Sequence, residues 1–431
     1  MKSRNIFLLL ISSFFIYACA VENKKQEKYE FKFAKPEDVG MVSDSLSKIE
    51  TMVMNFVNAK KYPGAVTLIA KNGKIIYESA IGWSDSSRTE PYNKDHLFRL
   101  ASMTKPITSV AAMQLIEAGK LKLDDPVGKY IPSFKETKIL ASFNPKDTSW
   151  TSIPSTTTPT IRHLLTHTAG VPYGFMNPRV NGAILAKNGI PDLSTHLPLT
   201  IEETMSKIGN LPLTHEPGTK WMYGLNTDVL GCVVEVASEM KLDEYIRDNI
   251  TKPLGIEMLD FYFDKSQTNN LVKVFLPNAK GTITEASDMG KMYIANYPTE
   301  GAKTYASGGS GMTGTARAYF IFCETMLNNG TLKGVKILER QTAASMHQDQ
   351  IDSLPYPWGP ARFGFGFDIA DGHPNRPDGT YSWGGAFSTV FWIDPTNNLI
   401  VIQLRQVLSS PFDKEINGQL EQIVYSALQN K

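Results

Sequence analysis

Ser102 and Lys105 are the two residues whose types and spacing most directly suggest chemistry. They lie in a Ser-Met-Thr-Lys segment that opens a helix pattern, with apolar residues at Ile107 and Val110 and a stop at Gly119. Residues three positions apart share one helix face, so a hydroxyl nucleophile would stand beside an amine able to act as its base. Most matches to these four residues alone occur by chance on a solvated helix. Their significance therefore depends on partners elsewhere in the chain.

The charge of Lys105 is the main chemical obstacle. An amine with an ordinary pKa of about 10.4 is almost fully protonated at neutral pH, so it must be buried or placed in positive potential to act as a base. A tyrosine close to Lys105 could share the proton. Tyr223 is the candidate, because a Pro-Gly turn leads it to the start of an apolar helix at 229–237. The alternative is an ordinary buried core tyrosine.

A third element is the segment Trp383-Gly384-Gly385-Ala386 in a C-terminal strand pattern. Paired glycines weaken a strand and are typical either of a position that a ligand approaches closely or of a β-bulge. Both alternatives remain open at this point.

Strand patterns cluster at both ends of the chain. Asn72-Gly73 is a strong hairpin signal between two β-branched segments. The predicted strands are 65–70, 74–82, 363–369, 382–393 and 399–404, and the predicted terminal helices are 43–58 and 416–428.

This segregation predicts an α+β fold. One antiparallel sheet would be built from both chain ends, 37–122 and 330–431, with a helical region inserted at 123–329 that includes a Ser/Thr/Pro-rich loop at 151–160. Together these make one catalytic domain spanning 37–431.

The N-terminus has the pattern of an export signal. Lys2 and Arg4 precede an apolar run at 6–18 that is shorter than the roughly 18 residues of a membrane span. Cys19 ends a bacterial lipoprotein-like box, so residues 1–19 are predicted to be the signal and 20–36 a linker. We expect a lipid on Cys19 to anchor the protein to a bacterial membrane, facing the periplasm or the exterior. Cleavage by an ordinary signal peptidase is the alternative.

The balance of charged residues argues against nucleic acid as a partner. With 44 basic and 43 acidic residues the net charge is +1, and no basic run is present, so nucleic acid is not an expected partner. Cys232 and Cys323 lie in apolar helical stretches and are predicted to be buried free thiols. No cofactor is expected.

Two further patterns are weaker indications of function. His163 and His167, four positions apart, could hold zinc, but no glutamate lies between them as in metalloproteases, so no metal site is predicted. The segment Gly309-Ser310-Gly311 is similar to a nucleophile elbow, but Met312 replaces its last glycine, which favours a glycine-rich loop at the pocket.

Taken together, the motifs resemble the serine β-lactamase and penicillin-binding protein superfamily, in its class C-related branch of β-lactamase-like carboxylesterases and peptidases. The resemblance covers essentially 65–404. The matching segments are Ser102 to Lys105 with the exit at Gly119 and Pro126, Thr160 to Gly170, Pro217 to Tyr223, Pro253 to Met258, and Gly308 to Met312.

The resemblance implies the fold and the roles of single residues. It makes Ser102 the acylated nucleophile, Lys105 its base and Tyr223 the proton relay to the leaving group. The backbone N–H groups of Ser102 and Ala386 would form the oxyanion hole, and water would release the acyl group. Trp383, Gly384 and Gly385 would bind the substrate.

Departures from the family pattern indicate which class of substrate the enzyme accepts. Trp383 stands where β-lactamases carry a lysine, and Leu225 replaces an asparagine, with Asn226 one place later. Both changes resemble the carboxylesterases, so the leading prediction is an exported hydrolase of small-molecule esters, with amides or peptides as further substrates. The alternatives are a class C-like β-lactamase or D-amino-acid peptidase, and a non-catalytic cell-envelope binding module. Ala318 also replaces a common aspartate, with no evident consequence.

Overall fold

The computed structural model describes residues 29–286 and 296–429. The predicted signal at 1–19, with Cys19, and residues 20–28 of the predicted linker lie outside this range. The strands, in chain order, are β1 (Gly64–Lys71), β2 (Lys74–Gly82), β3 (Phe98–Arg99), β4 (Lys138–Asn144), β5 (Ser149–Pro154), β6 (Leu259–Asp260), β7 (Phe275–Pro277), β8 (Ile283–Glu285), β9 (Thr313–Gly314), β10 (Thr331–Leu332), β11 (Val335–Lys336), β12 (Ala361–Phe363), β13 (Asp368–Ala370), β14 (Tyr381–Gly385), β15 (Thr389–Asp394) and β16 (Leu399–Leu404).

The helices alternate with long loops. They are α1 (Ser43–Asn58), α2 (Thr104–Glu117), α3 (Ile161–Leu165), α4 (Ala183–Lys187), α5 (Ile201–Gly209), α6 (Asn226–Ser238), α7 (Leu242–Ile246), α8 (Ala316–Leu327), α9 (Arg340–Met346) and α10 (Asp413–Ser426). The predicted helices at 43–58, 229–237 and 416–428 are confirmed as α1, α6 and α10.

The main sheet joins the two ends of the chain. Among the described residues it has seven antiparallel strands in the order β12-β13-β14-β15-β16-β1-β2. β1 lies between its hairpin partner β2 and the distant β16, with Val66 opposite Leu404. The predicted antiparallel α+β architecture is confirmed.

Helices pack on both faces of this sheet, and side chains along each strand point alternately to the two faces. Val66 and Leu68 of β1 point into the larger core, which includes α2, α6 and α8. Ala65 and Ile69 point into a second core with α1 and α10. The Asn72-Gly73 turn has φ angles of 53° and 71°, the left-handed values of a tight hairpin, as predicted.

Several predicted elements differ from the structure. The strand predicted at 382–393 is two strands, β14 and β15, because the chain reverses at Ser388, where φ is 66°. The strand at 363–369 is likewise two, β12 and β13, separated by a turn at Gly366, where φ is 88°. Apolar residues continue through both turns, so the sequence pattern does not show where the first strand of each pair ends.

The middle region is less purely helical than predicted. It contains the β4–β5 hairpin, whose second strand takes up the first residues of the loop predicted at 151–160. The exposed faces of this hairpin lack the buried alternation on which strand prediction depends.

The predicted linker at 20–36 extends too far. Tyr29 is buried and its hydroxyl donates to the Glu324 carboxylate on α8. The Ala34 N–H donates to the Ile75 carbonyl on β2 at 3.1 Å. Residues 29–34 therefore pack against the edge of the sheet and the adjoining helix.

Candidate active site

Ser102 lies at a sharp junction between strand and helix. β3 ends at Arg99, a single 3₁₀ turn spans Ala101–Met103, and α2 begins at Thr104. Ala101 has a φ of 46°, an uncommon value for a residue with a side chain. The Thr104 hydroxyl donates to the Ala101 carbonyl at 2.7 Å and holds this turn. The predicted helix start at the nucleophile is thus confirmed, with local backbone strain.

Lys105 and Tyr223 both reach the Ser102 hydroxyl. Lys105 Nζ lies 3.1 Å from Ser102 Oγ, and the Tyr223 hydroxyl donates to Ser102 Oγ at 2.6 Å. All three side chains are buried. The predicted convergence of amine and phenol on the hydroxyl is therefore present. Tyr223 is buried in the larger core, as the alternative expected, but its hydroxyl contacts Ser102.

The Lys105 amine has two further contacts. Nζ donates to the Gly309 carbonyl at 2.8 Å and lies 3.0 Å from the Tyr173 hydroxyl. A carbonyl only accepts, so one N–H always points to Gly309. In the neutral amine, the lone pair can then accept from the Ser102 hydroxyl. The contacts fix the amine in the orientation that a base requires.

Burial sets the protonation of this pair. Desolvation lowers the pKa of Lys105 to about 7, and the charge of Asp228 opposes part of that shift. Burial raises the pKa of Tyr223 well above its usual range, so its phenol is neutral at neutral pH. The site thus combines an amine that is partly neutral near pH 7 with a phenol that can donate.

Asp228 forms hydrogen bonds with the loop that carries the Gly309 carbonyl, which accepts from the Lys105 amine. Its Oδ1 accepts from the Ser307 hydroxyl at 2.5 Å and from the Gly309 N–H at 3.3 Å. A Cβ at Gly309 would lie 2.4 Å from Asp228 Oδ2, so the loop can approach α6 only with glycine there. The predicted glycine-rich loop at the site is confirmed, through the Gly309 carbonyl.

Gly385 brings the end of β14 against the chain that precedes the nucleophile. A Cβ at Gly385 would lie 2.2 Å from the Leu100 carbonyl oxygen, and the Thr389 hydroxyl donates to that same oxygen at 3.0 Å. β14 and β15 pair in unbroken register from Tyr381 to Gly385, so the alternative of a bulge is wrong. The close approach carries the Ala386 segment to the side of Ser102.

A cavity of about 450 Å³ opens on Ser102. Tyr223 and the segment Trp383 to Ala386 line it, together with Tyr173 and Trp358. The Trp383 ring lies 5.7 Å from the Tyr223 ring, centroid to centroid. An aromatic surface therefore occupies the place where the family pattern has a cation.

Asn226, one place after the position at which Leu225 replaces the family asparagine, does not take over the role of that asparagine. It is fully buried, and its amide contacts His167 Nδ1 at 3.0 Å instead of lining the cavity. Burial lowers the pKa of His167 well below its usual value. His163 Nδ1 accepts from the Thr160 N–H at 3.2 Å. Each histidine thus has a structural partner, and the described residues contain no cluster of three or more metal-ligating side chains.

Ala318 lies in the first turn of α8, where its N–H donates to Thr315.

Three residues of the site were not found from the sequence. Tyr173 follows Gly170 of a matched motif by only three positions, and that proximity was its one signal. Asp228 is a charged residue within an otherwise apolar helix segment, which is a recognisable sign of a buried function. Trp358 lies in a loop without any distinguishing pattern.

This arrangement of serine, amine and phenol is that expected of a serine hydrolase, and comparison with known proteins identifies the family. The Beta-lactamase family profile matches residues 49–425, so the chain belongs to that family. It is an esterase- or acyltransferase-like serine hydrolase, an enzyme class shared by its relatives.

Three relatives illustrate the similarity. Esterase EstB of Burkholderia gladioli is 28% identical over 402 residues, covering 88% of this chain and 95% of EstB. The ML-236A carboxylate methylbutanoyltransferase mlcH of Penicillium citrinum is 28% identical over 424 residues, covering 90% and 95%. The solved structure of EstCE1, described as a hydrolase with promiscuous acyltransferase activity, superposes with a TM-score of 0.75 at 28% identity, covering 89% and 99%.

Proposed function

We propose that this protein hydrolyses carboxylic esters through an acyl-Ser102 intermediate, with Lys105 as base and Tyr223 as proton relay. The observation that carries this proposal is the double contact on Ser102 Oγ, 3.1 Å from the amine and 2.6 Å from the phenol, at the base of an open cavity. Small amides and peptides are further substrates of the same chemistry.

Acylation begins with the neutral form of Lys105. As Ser102 Oγ attacks the ester carbonyl, its proton passes to Lys105 Nζ, and the carbonyl oxygen becomes an oxyanion bound by the Ser102 and Ala386 N–H groups. Tyr223 then donates its phenolic proton to the departing alkoxide, and Lys105 returns a proton to Tyr223. The alcohol leaves, and the acyl group remains as an ester on Ser102.

Deacylation repeats these steps with water as the nucleophile. As water attacks the acyl carbonyl, the hydrogen-bonded pair of Tyr223 and Lys105 takes its proton. The bond between the carbonyl carbon and Ser102 Oγ then breaks, the pair returns the proton to Ser102 Oγ, and the carboxylic acid leaves. The same two donors stabilise the second oxyanion. No group outside the described site is needed to balance either half-reaction.

The cavity supports esters over β-lactams. Recognition of a β-lactam carboxylate calls for a cation beside the nucleophile, and Trp383 supplies an apolar ring at that position. Two arginines also line the cavity, and both have partners: Arg376 pairs with Glu421 and donates to the Ser382 hydroxyl, and Arg405 donates to the Ser388 carbonyl and to the Asn417 side chain. A chromogenic cephalosporin should therefore be a poor substrate next to p-nitrophenyl acetate.

The direct test is the Ser102→Ala variant with p-nitrophenyl acetate. We expect kcat/KM to fall by at least about 1,000-fold, and intact-protein mass spectrometry to detect an acetyl adduct only on the parent protein. Mapping of the adduct to Ser102 would identify the nucleophile. Parental activity in the variant would contradict the proposal, and failure of a fluorophosphonate probe to label the parent would favour the non-catalytic binding module.

We also propose that the protein is exported and carries a lipid at Cys19. Support comes from the basic residues, apolar run and cysteine at the N-terminus. In the described part of the chain, no helix combines the length and apolar character that a membrane crossing requires. Expression with a radiolabelled fatty acid, comparing the parent with Cys19→Ser, tests the anchor. Equal labelling of the two proteins would contradict it.

A further inference from the structure

Large exposed apolar side chains concentrate at the mouth of the Ser102 cavity. Within the described residues, seven such side chains are exposed, and three of them line this cavity: Phe175, Met176 and Trp358, at 46%, 46% and 45% exposure. Isolated apolar residues on a surface need no explanation, but a group of them around a reactive serine indicates a surface that a ligand covers.

Trp358 is the member of this group that lies beside the proton relay. Its ring centroid is 4.9 Å from that of Tyr223, with the planes at 67°, and 5.5 Å from that of Trp383. It is thus an edge-to-face neighbour of the phenol, with nearly half of its surface open to solvent. An apolar group placed beside the Tyr223 hydroxyl would contact this ring.

The proposed chemistry determines which part of an ester lies beside Tyr223 and Trp358. Tyr223 donates its proton to the oxygen of the departing alcohol, so that oxygen must lie within hydrogen-bonding distance of the phenol. The carbon substituent on that oxygen then extends along the neighbouring wall. The acyl substituent is attached to the carbonyl carbon on the other side of the scissile bond, further from the relay.

We infer that Trp358 binds the alcohol half of the substrate, so that the enzyme prefers esters of bulky apolar or aromatic alcohols. In acyl transfer, the activity for which mlcH and EstCE1 are named, the same ring would favour such alcohols as acceptors. This inference rests on the proposed acyl-Ser102 mechanism. Phe175, whose ring stacks on Tyr173 with centroids 4.7 Å apart, extends the apolar surface at the same mouth.

Transfer follows from reversibility, since an alcohol that leaves past Trp358 can also enter there. The acceptor hydroxyl gives its proton to the Tyr223 and Lys105 pair while its oxygen attacks the acyl carbonyl. The bond between that carbon and Ser102 Oγ breaks, Ser102 Oγ regains a proton, and a new ester leaves. The step needs no co-reactant besides the alcohol. An apolar alcohol held against Trp358 competes with water because it is positioned and water is not.

The first experiment compares two matched ester pairs. Benzyl acetate and methyl acetate differ only in the alcohol, whereas methyl hexanoate and methyl acetate differ only in the acyl group. For Trp358→Ala, we expect the benzyl-to-methyl ratio of kcat/KM to fall about tenfold, as for loss of an apolar contact, while the hexanoate-to-acetate ratio stays near the parental value. Trp358→Phe should restore most of the benzyl preference.

The second experiment measures how one acyl-enzyme partitions. With p-nitrophenyl acetate as donor, equal concentrations of 2-phenylethanol and ethanol compete with water, and gas chromatography quantifies both acetate esters. We expect 2-phenylethyl acetate to exceed ethyl acetate in the parent, and this excess to shrink about tenfold in Trp358→Ala. Met54→Ala, an exposed apolar residue of α1 remote from the cavity lining, should match the parent.

The outcomes separate this inference from the proposed mechanism. Equal capture of the two alcohols by the parent, or loss of the acyl ratio instead of the alcohol ratio in Trp358→Ala, would overturn the role of Trp358 and leave acyl-Ser102 intact. Absence of any acetyl-enzyme in the parent would overturn both. Because Trp358 is half exposed, we expect its variants to fold, and circular dichroism of Trp358→Phe checks this.

Discussion

The Tyr223 hydroxyl donates to Ser102 Oγ at 2.6 Å, joining residues 121 positions apart in the chain. The phenol therefore lies closer to the Ser102 oxygen than the Lys105 amine, which is 3.1 Å away. Lys105 reaches the same oxygen from one turn away on α2. Serine oxygen, phenol and amine thus form one hydrogen-bonded unit, and the effects of substituting its members should not be additive.

The pH dependence should follow Lys105. Because burial lowers the pKa of Lys105 to about 7, the neutral amine required for attack becomes populated as pH rises through that value. We expect kcat/KM for p-nitrophenyl acetate to increase with pH and level off above about 8. The measurement is a profile from pH 5 to 9, corrected for spontaneous hydrolysis. A profile flat from pH 5 upward would show that Lys105 is not the titrating base.

Asp228→Asn should move the acidic limb of that profile. While ionised, Asp228 favours the protonated form of Lys105, so its removal should lower the pKa of the amine further and shift the limb to lower pH. Asparagine keeps an oxygen able to accept from Ser307 and Gly309. The control is Glu235→Gln, which removes a buried carboxylate on the same helix that is paired with Lys241. A limb that stays in place for Asp228→Asn, or moves equally for both variants, would contradict this role.

Tyr173→Phe should impair catalysis without removing the nucleophile. The Tyr173 hydroxyl is one of three groups that position the Lys105 amine, at 3.0 Å, and its loss leaves a buried amine with one partner fewer. We expect kcat to fall about tenfold or more, with a smaller change in KM. Tyr305→Phe is the matched control, because within the described structure its buried hydroxyl has no hydrogen-bond partner. Equal effects of the two substitutions would indicate a general packing defect.

The two glycines of β14 should respond differently to alanine. At Gly385 an added Cβ would lie 2.2 Å from the Leu100 carbonyl oxygen, so the strand must move and the Ala386 N–H leaves the oxyanion position. We expect kcat/KM to fall about 100-fold, the range for loss of one oxyanion donor. At Gly384 the nearest atom to a Cβ is the Thr389 carbonyl oxygen at 3.1 Å, so Gly384→Ala should lose far less activity. Thermal unfolding of both variants separates this effect from instability, and equal activity losses would count against it.

The sequence correctly predicted those features that depend only on residues close together in the chain. The hairpin at Asn72-Gly73 follows from the left-handed preference of those two residues, and the pairing of Ser102 with Lys105 follows from the pitch of a helix. The strand boundaries at 382–393 and 363–369 were predicted less well. In both places phenylalanine residues continue the apolar pattern through the turn, and only the pairing of neighbouring strands shows where the chain reverses.

The sequence by itself determined the family, the α+β class and the candidate nucleophile, base and relay, because several motifs in a fixed order are far more specific than any one of them. The tertiary structure decided how the base is tuned. The contacts of Lys105 with Tyr173 and Gly309 span 68 and 204 positions, and no periodicity encodes which distant residues will meet. The lowered pKa of the amine and the position of Trp358 beside Tyr223 likewise depend on burial and packing, which arise only when the whole chain has folded.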